Sequence, residues 1–109
     1  MNERERRLGE NEVLYREVNE RVRELHVGFG FDAQLIEFVC ECARVECTER
    51  IRLSQAEYEH VRESGRRFAL VDGHQVPDVE DVVERTDRFV VVEKRPGGPA
   101  DLAEAEDPR

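Results

Sequence analysis

Three cysteines fall within eight residues, in the run Cys40-Glu41-Cys42-Ala43-Arg44-Val45-Glu46-Cys47, and this cluster constrains the fold more than any other feature. An odd number of cysteines cannot close into a full set of disulfides, so a metal or free thiols remain. A tetrahedral zinc ion holds its sulfurs at about 2.3 Å and therefore roughly 3.8 Å from one another. Cysteines two residues apart on a flat strand share a face but stand too far apart for that. The backbone must bend at or after them, and Ala43, Arg44 and Glu46 let it turn and return Cys47. The spacing C-x-C-x4-C is thus a compact knuckle able to supply three thiolates.

The rest of the composition makes such a staple useful. The chain has 109 residues, a single-domain length, with 39% charged residues and no tryptophan. A small chain with few large apolar side chains builds a thin core and tends to need a metal, a disulfide or a partner. No run of roughly 18 apolar residues is present to span a bilayer. The charged start, Met1 to Gly9, is unlike a signal peptide, so the expected location is the cytoplasm, where thiols stay reduced. A net charge of -9 argues against nucleic acid, because its partners replace phosphate counterions with clustered Lys and Arg.

The fourth donor must come from elsewhere. His60 follows a capping box and falls nearly opposite Tyr58 and Val61 at helical spacing, which points it to solvent. His26 lies at the end of an N-terminal helix that would have to fold over the knuckle. His74 follows an apolar strand and a Gly turn, where side chains from neighbouring strand ends converge. His74 is favoured; His26, a carboxylate or water are the alternatives.

The chain divides into three regions. An amphipathic helix occupies residues 1–27, with Leu8, Asn11, Tyr15, Val18, Val22 and Leu25 in the a/d pattern of a coiled-coil seam. Glu12 with Arg16, and Glu17 with Arg21, have the favourable i,i+4 order on such a helix. The seam either docks on the protein's own body or pairs with another chain. Gly28 and Gly30 end it. A small α+β body covers residues 34–94. Leu35 to Val39 and Thr48 to Leu53 read as strands, and Ser54-Gln55-Ala56-Glu57 as a capping box opening a short helix to about Ser64. Phe68 to Val71 is apolar on both faces and reads as a central strand. Val79 to Arg85 fits a helix or a strand; its β-branched content and the short turn at Thr86-Asp87 favour a hairpin with Phe89 to Glu93. Residues 95–109, with Pro96-Gly97-Gly98-Pro99 and a small acidic end, read as a flexible tail. The expected fold is therefore α+β: a long N-terminal helix, then a small, mostly antiparallel sheet with one short helix, stapled by a metal knuckle.

Several runs together resemble an uncharacterised family of small bacterial proteins with a C-x-C-x4-C knuckle and a later Gly-His. They are Phe38-Val39-Cys40-Glu41-Cys42, Cys47-Thr48-Glu49-Arg50-Ile51, Glu57-Tyr58, Arg66-Arg67-Phe68 and Gly73-His74, followed by Val82-Val83-Glu84-Arg85 and Val91-Val92-Glu93-Lys94. The resemblance runs from about Asn11 onward. It implies that Cys40, Cys42, Cys47 and His74 belong together, and it brings no activity or partner.

These features lead to a zinc-stabilised protein-interaction or regulatory module, not an enzyme, that meets a protein partner or itself through the first helix. A thiol/zinc redox sensor is the alternative. A zinc hydrolase would need an open metal position and a base at a spacing such as H-E-x-x-H, which the chain lacks.

Overall fold

The computed structural model describes residues 1–28 and 35–109. Gly30 and the expected start of the body at Gln34 lie outside the described residues. The first element is α1 (Glu3–Gly28). Asn2 caps it: its side-chain oxygen accepts from the Glu5 amide at 2.8 Å, and Glu3 and Glu5 place negative charge at the positive end of the helix.

The alternating apolar residues of β1 (Ile36–Val39) and β2 (Arg50–Leu53) form an antiparallel pair, with Ile36 opposite Leu53 and Val39 opposite Arg50. Then comes α2 (Gln55–Val61), opened by the full capping box of Ser54 and Glu57. It ends at Arg62, earlier than the expected Ser64. A second sheet holds β3 (Arg67–Leu70), β4 (Glu80–Arg85) and β5 (Val90–Lys94), in the order β3-β5-β4 and antiparallel throughout. The hairpin reading of residues 79–85 holds, with a register shift between Val82 and Glu84.

The central strand is β5, and β3 lies at the end of the sheet order. Val90, Val91 and Val92 are all buried because β5 is covered on both faces. One face, with Ala69 and Val91, packs on Ile36, Phe38, Ile51, Leu53, Tyr58 and Val61. Phe38 and Tyr58 stack there with ring centroids 4.4 Å apart. The other face, with Phe68, Leu70, Val90 and Val92, packs on Cys40, Cys42 and Ala103. The apolar reading of Phe68 to Val71 was correct, but its central position was not: among the described residues, Glu41 and no strand lies along the other side of β3.

The tail is not a loose end. Residues Gly98–Ala105 form α3, which lies on α1 and buries Ala100 and Ala103. Pro99 suits a helix start. Gly9 of α1 permits the close approach, since a Cβ there would stand 3.0 Å from Leu102 Cδ2. Arg109 then pairs with Glu20 and Glu59. Alanines bury little area each, so composition alone read this segment as unable to order itself; docking on α1 supplies the missing partner surface.

The α1 stripe does dock on the body, but around a more polar face than the a/d pattern implied. Glu12, Arg16 and Asn19 are buried, while Leu14, Val18 and Leu25 are exposed. Glu12 and Arg16 do not form the expected surface pair. Glu12 and Glu80 both bond Lys94 Nζ, and all three side chains are buried. Arg16 donates to the carbonyls of Gly65 and Ala103, at 2.8 Å each, and its guanidinium lies 5.0 Å from the centroid of Phe68. Burial holds the Glu12 carboxyl well above its ordinary range; Lys94 opposes the rise and Glu80 adds to it.

Candidate metal centre

The knuckle is the connection from β1 to β2, bent so that it leaves one sheet and touches the other. Cys40 continues the hairpin, its amide bonding the Glu49 carbonyl at 3.1 Å. At Glu41 the chain passes to β3, where the Glu41 amide bonds the Ala69 carbonyl at 2.9 Å. Cys42 follows, fully buried against Phe68, Leu70, Val90 and Val92. A turn then brings Cys47 back, with its amide bonding the Arg44 carbonyl at 3.2 Å. The bend that the C-x-C spacing demands thus lies in the step from β1 to the edge of β3.

His74 arrives from the end of β3. The His74 amide bonds the Val71 carbonyl at 3.0 Å, closing a turn in which Gly73 has φ of 98°. An L side chain rarely adopts that conformation, so glycine here sets the direction in which His74 leaves the turn. His74 Nδ1 lies 3.6 Å from Cys40 Sγ and 3.6 Å from Cys47 Sγ. The donor atoms of Cys40, Cys42, Cys47 and His74 all lie within 4.8 Å of one another, a group that could hold a metal ion. All four residues singled out from the sequence are brought together.

The other histidines are elsewhere. His60 is exposed, between Glu63 and Glu84, as its helical position required. His26 Nδ1 lies 2.9 Å from the Val22 carbonyl within α1.

The three sulfurs share their protons unequally. Cys42 is lowered to about 5, chiefly because it accepts a hydrogen bond from Cys40, with burial opposing. That same bond, with burial, pushes Cys40 up. Burial raises Cys47 as well. The Val71 amide donates to Cys40 Sγ at 3.2 Å, a contact that favours a charged sulfur. Cys40 and Cys42 are buried, whereas Cys47 and His74 border an open depression lined also by Arg44, Glu46, Thr48 and Glu49. An ion would enter from that side.

Glu41 is the residue that sequence reasoning missed. Between two cysteines it reads as one more surface carboxylate, yet it is fully buried. Its Oε1 accepts from the Ala69 amide at 2.9 Å and from Arg62 Nη2, and its Oε2 accepts from Asn19 Nδ2 at 2.8 Å. It therefore joins the knuckle to β3, to the end of α2 and to α1. The C-x-C spacing carries a faint signal of this, because a residue between two inward cysteines on a bent chain has to find some other neighbour.

Comparison with protein-family models, with curated proteins and with solved structures finds no match to this chain. Its function is therefore read from its own geometry. No helix among the described residues is long and apolar enough to cross a membrane.

Proposed function

We propose that this chain is a small zinc-stabilised protein-interaction or regulatory module, working in the cytoplasm and not as an enzyme. The observation that carries the reading is the Cys40, Cys42, Cys47 and His74 group, with its donor atoms within 4.8 Å. Tetrahedral zinc with Zn–S of about 2.3 Å and Zn–N of about 2.0–2.1 Å sets sulfur and nitrogen roughly 3.5–3.6 Å apart. Both sulfur-to-Nδ1 distances here are 3.6 Å. Three thiolates and one imidazole are a soft donor set, which favours zinc over magnesium or calcium.

Four protein donors complete a structural site and leave no position for water, which argues against hydrolysis. Glu41, the carboxylate buried beside the sulfurs, is engaged by Arg62, Asn19 and the Ala69 amide and is not free to act as a base. The ion would replace core that the chain lacks, its binding energy becoming folding energy. The exposed Leu14, Val18 and Leu25 support α1 as the surface that meets a protein partner or a second copy. The motifs shared with the small bacterial family belong to the same reading.

The half-buried position of Cys47 at the open side favours one second reading, a thiol/zinc redox sensor. A peroxide would take two electrons from a pair of thiolates as they join in a disulfide, and zinc would leave.

Metal analysis of protein purified without chelator tests the proposal, with about one zinc per chain expected. Metal-free protein that melts identically with and without chelator would overturn it.

A further inference from the structure

We infer that α1 is a metal-gated latch: an occupied knuckle holds the helix on the body, and loss of the ion frees the helix while the body stays folded. The inference rests on the zinc reading above and goes beyond it, from metal as a staple to metal as a control.

The contact between α1 and the knuckle is a polar ladder. Asn11, Tyr15 and Asn19 lie four residues apart on one helix face. Asn11 Nδ2 donates to the Ala43 carbonyl at 2.8 Å. The Tyr15 hydroxyl lies 3.0 Å from the Arg44 carbonyl and 2.8 Å from that of Val45. Asn19 bonds both backbone groups of Val39, each at 2.9 Å, and reaches Glu41 Oε2. The helix thus reads the backbone of residues 39–45, the stretch that carries Cys40 and Cys42 and turns toward Cys47. Hydrogen bonds demand direction, and the direction of these carbonyls is set by how the knuckle is bent. With four donors gathered on one ion the whole bend is held; without it, Cys40 and Glu41 keep their bonds to Glu49 and Ala69, and the turn from Ala43 to Cys47, which carries the carbonyls that Asn11 and Tyr15 read, is the part left to vary.

What else holds α1 is mostly polar: Glu12 on Lys94, Arg16 on the carbonyls of Gly65 and Ala103, Glu20 on Arg109, and α3 packed at Gly9. Among the described residues, Val22 is the apolar α1 side chain packed against either apolar cluster, and Arg16 lies over Phe68 of one of them. The rest of its buried face is Glu12, Arg16, Asn19 and Glu20, groups that water solvates well on release. Both apolar clusters, by contrast, are built from β1, β2, α2, β3 and β5, with Ala103 from α3 and the two inner cysteines. An interface of directional polar contacts beside a self-contained apolar body is the arrangement in which one element opens before the whole. Release would also bring Leu8, Asn11, Tyr15 and Val22 into solvent beside Val18 and Leu25, the full a/d seam.

Coupling of this kind is reciprocal: a change that loosens α1 must weaken metal binding by the same factor. That gives a test on the full chain. Hydrogen exchange is measured with zinc bound and after chelation, for the natural sequence, for Tyr15→Phe and for the double variant Asn11→Ala/Tyr15→Phe. Zinc affinity is measured alongside by competition with a chromophoric chelator. On chelation the α1 amides from Asn11 to Val22 are expected to exchange at least about tenfold faster while those of β3 and β5 stay protected. The double variant is expected to lose affinity on the order of tenfold, with Tyr15→Phe between it and the natural chain.

Acceleration of α1 and β5 together would mean that the chain unfolds as one unit, and would overturn the latch. So would unchanged α1 protection in a chain that binds zinc, or unchanged zinc affinity in both variants. A chain that takes up no zinc overturns the underlying reading and the latch with it.

Discussion

Two neighbouring faces of α1 meet the body in contrasting ways. Asn11, Tyr15 and Asn19 meet the knuckle, which gathers soft donors: three sulfurs and an imidazole. Glu12 and Arg16 meet a set of buried charges instead, with Lys94 between Glu12 and Glu80, and with Arg16, Arg62 and Lys94 arranged about the ring of Phe68. Both stand where a larger protein would place Leu and Ile. At the knuckle, in the zinc reading, cohesion would be concentrated in one ion, and every donor would be useful only with the others. In the charge network, cohesion is distributed over many pairs, and removing one member leaves another charged group buried without its counterpart. One face is therefore sensitive to metal, the other to pH and to single substitutions.

The largest expected effect separates the two at the metal side. Cys42→Ser removes the innermost donor and should lower zinc content well below that of the natural chain. A site normally held at about a thousand times its Kd contributes ~4 kcal/mol. In a chain of this size that is on the order of 20 °C in melting temperature. Calorimetry with and without added zinc checks it: the natural chain should respond to zinc, and Cys42→Ser should not.

Lys94→Met strikes the other face. It leaves Glu12 and Glu80 buried together without a cation, and breaking such a pair costs about 3 kcal/mol. At saturating zinc the content should stay at the natural value, because neither carboxylate touches the knuckle, while zinc affinity falls only as far as loss of the Glu12 contact loosens α1. A variant that lost zinc in proportion to its stability would show that the two faces are not separable in the way described. Denaturant titration with parallel metal analysis distinguishes these outcomes.

The smallest effect concerns pH. Glu12 holds its proton well above the ordinary carboxylate range in the folded chain, whereas an unfolded glutamate loses it near ~4.3. Between those values the folded state binds the extra proton, so stability falls as pH rises. The contribution is complete below the unfolded value and is lost through the folded one, with a slope of at most about 1.4 kcal/mol per pH unit. Glu12→Gln keeps the shape and removes the proton. Its stability measured by urea unfolding from pH 5 to pH 8 should therefore fall less steeply than that of the natural chain. Equal slopes would place Glu12 outside the titration and weaken the contrast between the two faces.

Several features were open to reading before any coordinates. The alternation around Ile51 and Leu53, the Ser54–Glu57 capping box and the short turn after Arg85 are local, and neighbouring residues settle them. The knuckle was legible because thiolate spacing near a metal is governed by bond lengths, and His74 because a glycine turn at a strand end directs the next side chain. The polar partners of α1 were not legible. Glu12, Arg16, Glu41 and Lys94 look like ordinary surface charges, and the residues that satisfy them lie far away in the chain, from Ala69 and Glu80 to Ala103. The a/d stripe misled for the same reason: Asn11 and Tyr15 do face an interface, but the interface is made of carbonyls.

By itself, then, the sequence gathered the three cysteines and favoured His74 among several fourth donors, and it pointed to the β4–β5 hairpin at its short turn and to the long first helix. These follow from spacing, capping and covalent reach, which act over a few residues. Tertiary structure alone decided that Glu41 would be an anchor, that β5 would be the central strand, and that the small-residue tail would form a helix on α1. Each of those depends on which surface a segment finds opposite it. In a chain with so thin an apolar core, those surfaces are held by charges and amides whose partners no local pattern specifies.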